Sequence, residues 1–392
     1  MFLKRLTLPQ LLSNSCSKFK NNLSLNFVQS GRRTYQDFYN EVFSISNYLI
    51  ASGIQKGDKV AILSANMPNW GITQFAIAQI GAIAVPILPG FNTPEIQNIL
   101  EHSEAKIIFV SKLLYKWVAD IKTDFLEQKV LMNTFARIPE GHPVEEIDKL
   151  ENDIPLNNFT PLPEIQVEEE DTASIIYTSG TTGFSKGVEL THRNLVWDAH
   201  QCSTIQSIST EDRFLSILPL AHTYENTLGL LLPVMFGAQI YYLDRVPTPK
   251  LLVPAMQKIR PTVMLSVPLI IEKIYKTQVL PKFTSSPLMK ALYNFAPTRK
   301  LFNWLAGKKL MQTFGGKIIF FGIGGSKLDP TVERFLQEAK FPYAIGYGLT
   351  ETSPMAAGSA PHATFLQGVG PVMEGVEIKI HEPDQTGQGE IW

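Results

Sequence analysis

Short apolar runs alternate with helical patterns between Thr34 and about Val110, and this alternation restricts the chain to few fold classes. A helical pattern of apolar residues ends at Gly53, and the buried-strand sequence KVAILSA follows it. A second helix, a strand after Gly81 and a further strand, AKIIFV, continue the series. Such repetition is typical of a parallel sheet covered by helices, so we predict an α/β fold.

A change in composition divides the chain. Residues 151–171 contain seven acidic residues, no basic residue and three prolines, which indicates a connecting segment. Helix and strand patterns then resume to about residue 350. The tail contains the alternating sequence GVEIKI and the turn-forming sequence DQTGQGE, which predict a hairpin. We therefore predict two αβα-type subdomains with helix-covered sheets, 1–165 and 166–355, and the start of a small β subdomain at 356–392.

Composition and charge exclude several classes of protein. Apolar residues make up 44% of the 392 residues, which argues against a mainly disordered chain. The 35 basic and 36 acidic residues give a formal charge of −1, so no overall field attracts nucleic acid. Two distant cysteines exclude a disulfide framework or a cysteine-based zinc site, and they favour the cytoplasm. The N-terminus lacks a signal-peptide pattern, and the longest apolar run is too short to cross a bilayer.

One stretch departs from this charge balance: Lys273 to Lys327 contains ten basic residues and no acidic residue. Aromatic and aliphatic side chains are interleaved with the basic ones. Two interpretations are open. The stretch is either a helical excursion with a solvated basic face, or a patch that binds anionic lipid at a membrane surface or a phosphorylated ligand.

The sequence YTSGTTGFSKGVELTH, from Tyr177 to His192, carries the clearest chemical pattern. An apolar strand enters a loop of small and hydroxyl-bearing residues that ends at Lys186. Backbone N–H groups, hydroxyls and one lysine together suit the oxygens of a phosphate chain. The pattern differs from the P-loop GxxxxGK[ST], because Gly187 follows the lysine, the next residues are strand-like, and a helix begins only near Arg193.

This motif resembles the signature of the adenylate-forming superfamily, which includes acyl-CoA synthetases, luciferases and the adenylation domains of peptide synthetases. Ser185 stands where the family usually has proline. Three further segments match in the same order. They are LPLAHTYEN (218–226), FFGIGGSKLDP (320–330) and GYGLTETSP (346–354). The similarity runs from about Thr34 to Trp392.

The resemblance implies the fold of the large N-terminal domain of these enzymes and assigns roles to residues. It places Tyr347 on adenine, Thr350 at the phosphates and Glu351 on Mg²⁺, which prefers oxygen ligands. From the residues alone, Tyr347 could also be a core aromatic and Glu351 a surface carboxylate. The predicted catalytic residues are Lys186, Thr350, Glu351 and His222. The predicted ATP-binding residues are Thr178, Ser179, Gly180, Thr181, Thr182, Gly183, Lys186, Gly325, Ser326, Lys327, Gly346, Tyr347, Gly348 and Thr350.

The segments HTYEN and SVPLIIEKIY (266–275) resemble the long-chain fatty acyl-CoA synthetase branch. Amino-acid-activating relatives carry an aspartate in the pocket segment, where this chain has Tyr224 and Glu225. The implied reaction begins when a long-chain fatty acid attacks the α-phosphorus of ATP, giving acyl-adenylate and pyrophosphate. The thiol of coenzyme A then displaces AMP. The predicted acyl pocket consists of His222, Tyr224, Val267, Leu269, Gly322 and Ile323, any of which could instead be ordinary core.

Members of the family also carry a smaller C-terminal domain, whose lysine takes part in adenylation. That domain, the ribose-binding aspartate and the hinge would all lie beyond Trp392. The chain stops inside an apparent strand, so we expect a fragment that binds nucleotide but turns over poorly. Three alternatives remain open: a non-catalytic nucleotide- or acyl-binding module, acyl transfer to a carrier-protein thiol, and an ATP hydrolase or kinase. The last is disfavoured because GK[ST] and a following helix are missing from the motif.

Overall fold

The computed structural model describes residues 3–156, 159–178 and 186–392. In this part of the chain two seven-stranded sheets and one two-stranded sheet are present. The sheets are built from β1 (Leu25–Phe27), β2 (Lys59–Leu63), β3 (Ile83–Ile87), β4 (Ala105–Val110), β5 (Gln128–Leu131), β6 (Ala136–Ile138), β7 (Thr172–Thr178), β8 (Lys186–Thr191), β9 (Arg213–Ser216), β10 (Gln239–Tyr242), β11 (Val263–Ser266), β12 (Phe320–Ile323), β13 (Tyr343–Gly348), β14 (Met355–Gly358), β15 (Ile380–His381) and β16 (Glu390–Ile391).

The helices lie between these strands, as the alternating sequence pattern predicts. The α-helices are α1 (Leu8–Phe19), α2 (Tyr35–Ala51), α3 (Pro68–Gln79), α4 (Thr93–Ser103), α5 (His192–Ile205), α6 (Thr223–Glu225), α7 (Leu232–Phe236), α8 (Pro249–Ile259), α9 (Pro268–Ile274), α10 (Leu280–Phe283), α11 (Pro287–Asn294), α12 (Ala296–Thr313) and α13 (Pro330–Glu338). Asn226–Leu231 and Tyr275–Val279 form π-helical turns, and Tyr115–Trp117, Val144–Lys149 and Thr350–Thr352 form 3₁₀ turns.

Sheet A has the strand order β6-β5-β4-β2-β3-β7-β8. Its central strands are parallel, and the edge strands β6 and β8 are antiparallel to their neighbours. The central strands are buried almost throughout, as expected for parallel strands covered on both faces. Helix α3 is buried on nearly every side, which explains its continuous apolar sequence.

Sheet B has the strand order β1-β10-β9-β11-β12-β13-β14, in which only β14 is antiparallel. One continuous hydrophobic core joins the two sheets, because buried residues such as Ile62 of β2 and Ile240 of β10 belong to the same cluster. A second cluster lies between sheet B and helices α8, α12 and α13. The two helix-covered sheets agree with the predicted α/β class.

Each of the two predicted α/β subdomains contributes strands to both sheets. Strand β1 pairs with β10 through Leu25 and Ile240, so an N-terminal strand completes sheet B. Strand β7 lies beside β3, with Ser174 opposite Ala84, so β7 and β8 complete sheet A. The boundary predicted at residue 165 is therefore not the division between the sheets. Apolar patterns predict strands but not which strand becomes their neighbour.

Local sequence explains where several elements begin and end. Capping boxes at Thr34 and Asn92 start α2 and α4, because each side chain accepts from the backbone N–H three residues later. Helix α2 ends two residues before Gly53, which has a φ of +85°. The described residues between Lys149 and Thr172 contain no helix or strand, in agreement with the predicted connecting segment. The predicted tail hairpin is also present, with Ile380 opposite Ile391.

None of the described helices is both long enough and apolar enough to cross a lipid bilayer.

Candidate functional site

The glycine- and hydroxyl-rich motif joins β7 to β8 at the edge of sheet A. Thr178 and Lys186 are opposite each other in this antiparallel pair, and Lys186 is exposed at the start of β8. A capping box at Thr191 then begins helix α5. A strand, β8, begins at Lys186 and pairs with β7, which agrees with the prediction that no helix follows the lysine directly as it does in a P-loop. The predicted phosphate-binding residues Ser179, Gly180, Thr181, Thr182 and Gly183 lie outside the described residues.

Two further motifs lie at the carboxyl ends of neighbouring strands in sheet B. The loop after β12 exposes Gly325, Ser326 and Lys327. The backbone at residue 325 has a φ of +88°, a conformation that favours glycine. Strand β13 ends at Gly348, where a side chain would not fit, since an added Cβ would lie 1.6 Å from the carbonyl oxygen of Pro354. The parallel pairing of β12 with β13 brings the two motifs to one edge of the sheet.

The residues assigned to the nucleotide are accessible at this edge. Tyr347 is half-buried, so its ring is not an enclosed core aromatic. Glu351 is exposed and Thr350 is half-buried in the turn Thr350–Thr352, which packs beside β8. The structure therefore brings the strand that carries Lys186 next to the turn that carries Glu351. Their roles remain predictions.

Glu351 is the carboxylate assigned to the predicted magnesium ion. In the described ranges, 3–156, 159–178 and 186–392, no group of three or more His, Cys, Asp or Glu side chains is placed to hold a metal. Mg²⁺ commonly binds through one or two carboxylates together with phosphate oxygens and water. The exposed position of Glu351 suits this mode of binding, in which most ligands come from the nucleotide.

An apolar cavity with a free volume of about 30 Å³ lies between sheet B and helix α5. It brings together three of the predicted acyl-pocket residues, Tyr224, Gly322 and Ile323, and it also reaches Gly346 of the nucleotide motif. The aromatic ring of Tyr224 lies against β12, since a Cβ on Gly322 would be only 2.8 Å from the Tyr224 hydroxyl. The other lining residues are Cys202, Ile205, Gln206, Ile208, Phe214, Leu228, Leu232, Val263, Leu265, Phe320, Ala344, Ile345, Met355 and Ser359.

The other three predicted pocket residues do not line this cavity. The prediction was wrong for Leu269, which is 73% exposed, because helix α9 begins at Pro268 and leaves Leu269 on its solvent side. Val267 approaches Gly325 on the nucleotide side instead. His222 is exposed, and its Nδ1 accepts a hydrogen bond from the backbone N–H of Tyr224 at 3.3 Å. It is therefore not a buried core histidine, and its proposed role stays a prediction.

The sequence alone did not identify the α5 residues that line the cavity, or the buried carboxyl of Glu225 beneath it. Residues of α5 such as Cys202 read as an ordinary amphipathic helix, so no sequence signal marked them. Glu225 did carry a signal, since it is a charged residue in a largely apolar segment. It is 1% exposed, and burial raises its pKa to about 8. Burial likewise raises the pKa of Tyr224.

Comparisons with known proteins show the family of this chain. The family of AMP-binding enzymes matches residues 12–392, and the chain belongs to this family. Its relatives include a long-chain-fatty-acid–CoA ligase, ACSBG2, from Gallus gallus, which is 26% identical over 98% of this chain and 55% of its own length. Another is the chloroplastic long-chain-fatty-acid–[acyl-carrier-protein] ligase AEE15 of Arabidopsis thaliana, 25% identical over 90% of this chain and 56% of its own.

The fold is also that of solved adenylate-forming enzymes. The long-chain-fatty-acid–CoA ligase FadD1 of Archaeoglobus fulgidus superposes with a TM-score of 0.75 at 20% sequence identity, over 100% of this chain and 75% of its own. This likeness confirms the predicted fold class. The chain spans about half the length of the curated relatives it matches.

Proposed function

We propose that this chain is the ATP- and acid-binding part of an acyl-CoA ligase that activates a long-chain fatty acid. The reaction would form acyl-adenylate and pyrophosphate, and coenzyme A would then release acyl-CoA and AMP. The observation that carries the proposal is continuity between two sites. Gly346 lines the apolar cavity, and Tyr347, the next residue, is accessible beside the glycine loops. An acid in the cavity would therefore meet a nucleotide held at the same strand ends.

The first step joins two anions, so the site must neutralise charge and align the reacting groups. We assign Lys186 and the hydroxyls of Thr178 and Thr350 to the phosphates, and Tyr347 to the adenine ring. Glu351 would hold Mg²⁺, which supplies further neutralisation of the phosphates when bound. His222, exposed beside Tyr224, would lie at the mouth of the acyl cavity.

The lining of the cavity suits an apolar acyl chain better than a polar one, and the cavity would have to widen to admit a long chain. Its lining is almost wholly aliphatic, aromatic and glycine, with Gln206 and Ser359 as its polar members apart from Tyr224 and Cys202. The names of the curated relatives point to the same substrate class. Coenzyme A is the proposed acceptor. The relative AEE15 is named for acyl carrier protein, which keeps a carrier-protein thiol as the alternative.

We also propose that complete turnover requires the smaller C-terminal domain of the family, whose lysine takes part in adenylation. The chain spans about half the length of its curated relatives. Such a domain would supply a cation and exclude water from the reacting groups, so exchange catalysed by residues 1–392 alone should be slow.

Contact with a membrane surface is a further part of the proposal, and it would place the enzyme in the cytoplasm, peripheral to the bilayer. Leu301, Trp304 and Leu305 are exposed on one stripe of α12, and Leu288 and Phe295 are exposed nearby. Lys300, Lys308 and Lys309 belong to the same helix, and Lys308 Nζ lies 3.6 Å from the Trp304 ring centroid. Charge-reversing Lys308 and Lys309 should weaken binding to anionic vesicles. The same change at Lys116 and Lys122, near sheet A, should not.

The function is tested by ATP–pyrophosphate exchange with carboxylic acids from acetate to palmitate, using this chain and a form extended past Trp392. We expect exchange that depends on a long-chain acid and is fastest in the extended form. When coenzyme A is added, AMP rather than ADP should be the product. ADP formation would support a hydrolase or kinase. Nucleotide binding with no exchange in either form would support a non-catalytic binding module and contradict the ligase.

A further inference from the structure

A buried carboxyl lies directly beneath the acyl cavity. Glu225 is 1% exposed and follows Tyr224, whose ring lines the cavity. The reaction assigned above gives Glu225 no role, because its side chain is sealed from both the cavity and the solvent. A buried ionisable group is costly unless it is hydrogen-bonded or neutral, so its retention at this position needs a reason.

Glu225 is one end of a hydrogen-bonded chain that connects the two sheets. Its Oε1 accepts from the hydroxyl of Ser216, at the end of β9, at 2.5 Å. The Ser216 Oγ in turn accepts from the side-chain amide of Asn66 at 2.9 Å, and Asn66 follows β2 of sheet A. The Asn66 Oδ1 accepts from the backbone N–H of Leu220 at 2.9 Å. This chain fixes the segment that carries Tyr224 to both sheets.

The residues after Glu225 are also anchored. Asn226 and Gln74, on α3, exchange two amide hydrogen bonds of 3.0 Å each. The hydroxyl of Thr227 donates to the carbonyl oxygen of Ser353, inside the second nucleotide motif, at 2.8 Å. All of these partners are neutral, so no charge is needed from Glu225 to hold the segment together.

The carboxyl of Glu225 is tightly packed. A Cβ on Gly229 would lie 2.7 Å from both Cδ and Oε1 of Glu225, so the π-helical turn closes over it only because residue 229 is glycine. The second oxygen, Oε2, is buried without a hydrogen-bond partner. The titratable groups that face it are Tyr224 and Tyr242 of β10, neither of which is a cation at neutral pH. An ionised Glu225 would therefore have no counter-charge in this cluster.

We propose that Glu225 is a positioning residue that, as a neutral carboxylic acid, holds Tyr224 across β12 and so shapes the acyl cavity. The ring of Tyr224 has little free space around it, because an added Cβ on Gly324 would be 3.3 Å from Cζ of that ring. The inference rests on the proposed function, since it assumes that the cavity receives the acyl chain. It adds a residue that governs binding of the acid without touching it.

Ionisation of Glu225 supplies the test. Burial raises its pKa to about 8, so the carboxyl loses its proton in a mildly basic solution. If the acid binds only when Glu225 is neutral, its Kd should rise roughly tenfold for each pH unit above that pKa. Decanoate is a suitable probe because its own carboxyl titrates near pH 4, at about the value for a free carboxylate, and stays ionised throughout.

Calorimetric titration of decanoate should be compared at several pH values from about 7 to about 9.5. We expect the wild-type Kd to rise above the pKa, and Glu225→Gln, which is neutral at every pH, to bind with an unchanged Kd across the range. Glu41→Gln is the matched control. Glu41 is another largely buried carboxyl with a raised pKa, but it is paired with Arg33 and is not part of this cluster. A wild-type Kd independent of pH, or the same rise in Glu225→Gln, would overturn the inference.

Urea denaturation provides a second measurement that needs no ligand. The folded protein keeps the Glu225 proton up to about pH 8, whereas the unfolded chain loses it near pH 4.5. The wild-type free energy of unfolding should therefore fall relative to that of Glu225→Gln as the pH rises across this interval. Parallel curves would overturn the inference even if decanoate binds. Absence of decanoate binding in every variant, with diverging curves, would instead contradict the proposed function and leave a neutral Glu225 established.

Discussion

The two seven-stranded sheets share an architecture but differ in the segments at the ends of their strands. In sheet A the strands β2, β3 and β4 run through buried apolar residues, and the helix α3 beside them is buried almost all round. In sheet B the strands β12 and β13 end in glycine-containing loops that leave Gly325, Lys327 and Tyr347 accessible. Sheet A contributes to the site mainly at its edge, through Lys186.

This difference separates the residues that stabilise the fold from the residues assigned to ligand binding. Both sheets bury apolar strands in a shared core, and this burial drives folding. In sheet B an apolar cavity and open loops lie at adjacent strand ends, where parallel sheets commonly bind ligands. A second cavity lies where the loops after β2, β3 and β4 of sheet A meet those after β9 and β10 of sheet B. Substitutions in sheet A should therefore change mainly the free energy of unfolding, and matched substitutions in sheet B should also change ligand binding.

The largest effect is expected at the edge where sheet A meets the site. Lys186→Met should slow ATP–pyrophosphate exchange by about 10²–10³-fold, or about 2.7–4 kcal/mol, because a cation is lost beside the developing charge. Since Lys186 is exposed, thermal unfolding should be nearly unchanged. Lys122→Met is the control, with a side chain that is 77% exposed and forms an ion pair with Glu140. Normal exchange in Lys186→Met would remove Lys186 from the phosphate site.

The second prediction is that pH changes the contributions of His192 and Glu225 to the free energy of unfolding in opposite directions. Burial lowers the pKa of His192, the first residue of α5 after β8, from 6.5 to about 4. The folded state then binds fewer protons than the unfolded state in this interval, so stability falls as the pH decreases through it, by up to about 3 kcal/mol. Denaturation of the wild type and His192→Asn measures this, and equal acid sensitivity would contradict it. Glu225 should instead lower stability as the pH increases.

A paired glycine substitution gives the third test. Gly348→Ala in sheet B should cost about 1–3 kcal/mol and weaken ATP binding, because its Cβ would collide with the Pro354 carbonyl. Gly90→Ala, after β3 of sheet A, has open space around the added Cβ and should change stability by less than about 1 kcal/mol in either direction. Chemical denaturation and calorimetric ATP titration measure both quantities. Similar losses in the two variants would contradict the distinction.

The smallest expected effect comes from the same substitution placed in each sheet. Ile62→Val in β2 and Ile323→Val in β12 should each cost about 0.5–1.5 kcal/mol of stability, since both side chains are fully buried. Ile323 lines the cavity and Ile62 does not, so only the Ile323 variant should change decanoate affinity, by about fourfold for one methylene. If Ile62→Val altered the affinity equally, the cavity would not be the acyl site.

The sequence was sufficient for the fold class and for most strands, because each strand is a local apolar run with clear turns around it. It did not predict that β1 joins sheet B or that β7 and β8 join sheet A. Those pairings depend on contacts such as Leu25 with Ile240, which are distant in sequence. Strand neighbours are decided by packing of the whole core, and a periodic pattern contains no information about them.

The candidate site shows the same limit. Motifs with unusual composition placed Tyr347, Gly322 and Tyr224 where the structure has an accessible edge and a cavity. Leu269 was misplaced, because an apolar residue next to a motif need not face inward. The α5 side of the cavity was missed because its residues have the ordinary pattern of a core helix.

Hydrogen exchange in the presence of a non-hydrolysable decanoyl-adenylate analogue tests the central claim most directly. The account predicts protection at the ends of β12 and β13, in the pocket segment 218–231 and on α5, with helices α3 and α4 of sheet A unchanged. It also predicts that both ATP and decanoate displace the analogue, because its two halves occupy adjoining sites. Protection confined to sheet A, or an analogue that neither ligand displaces, would contradict a shared nucleotide and acyl site in sheet B.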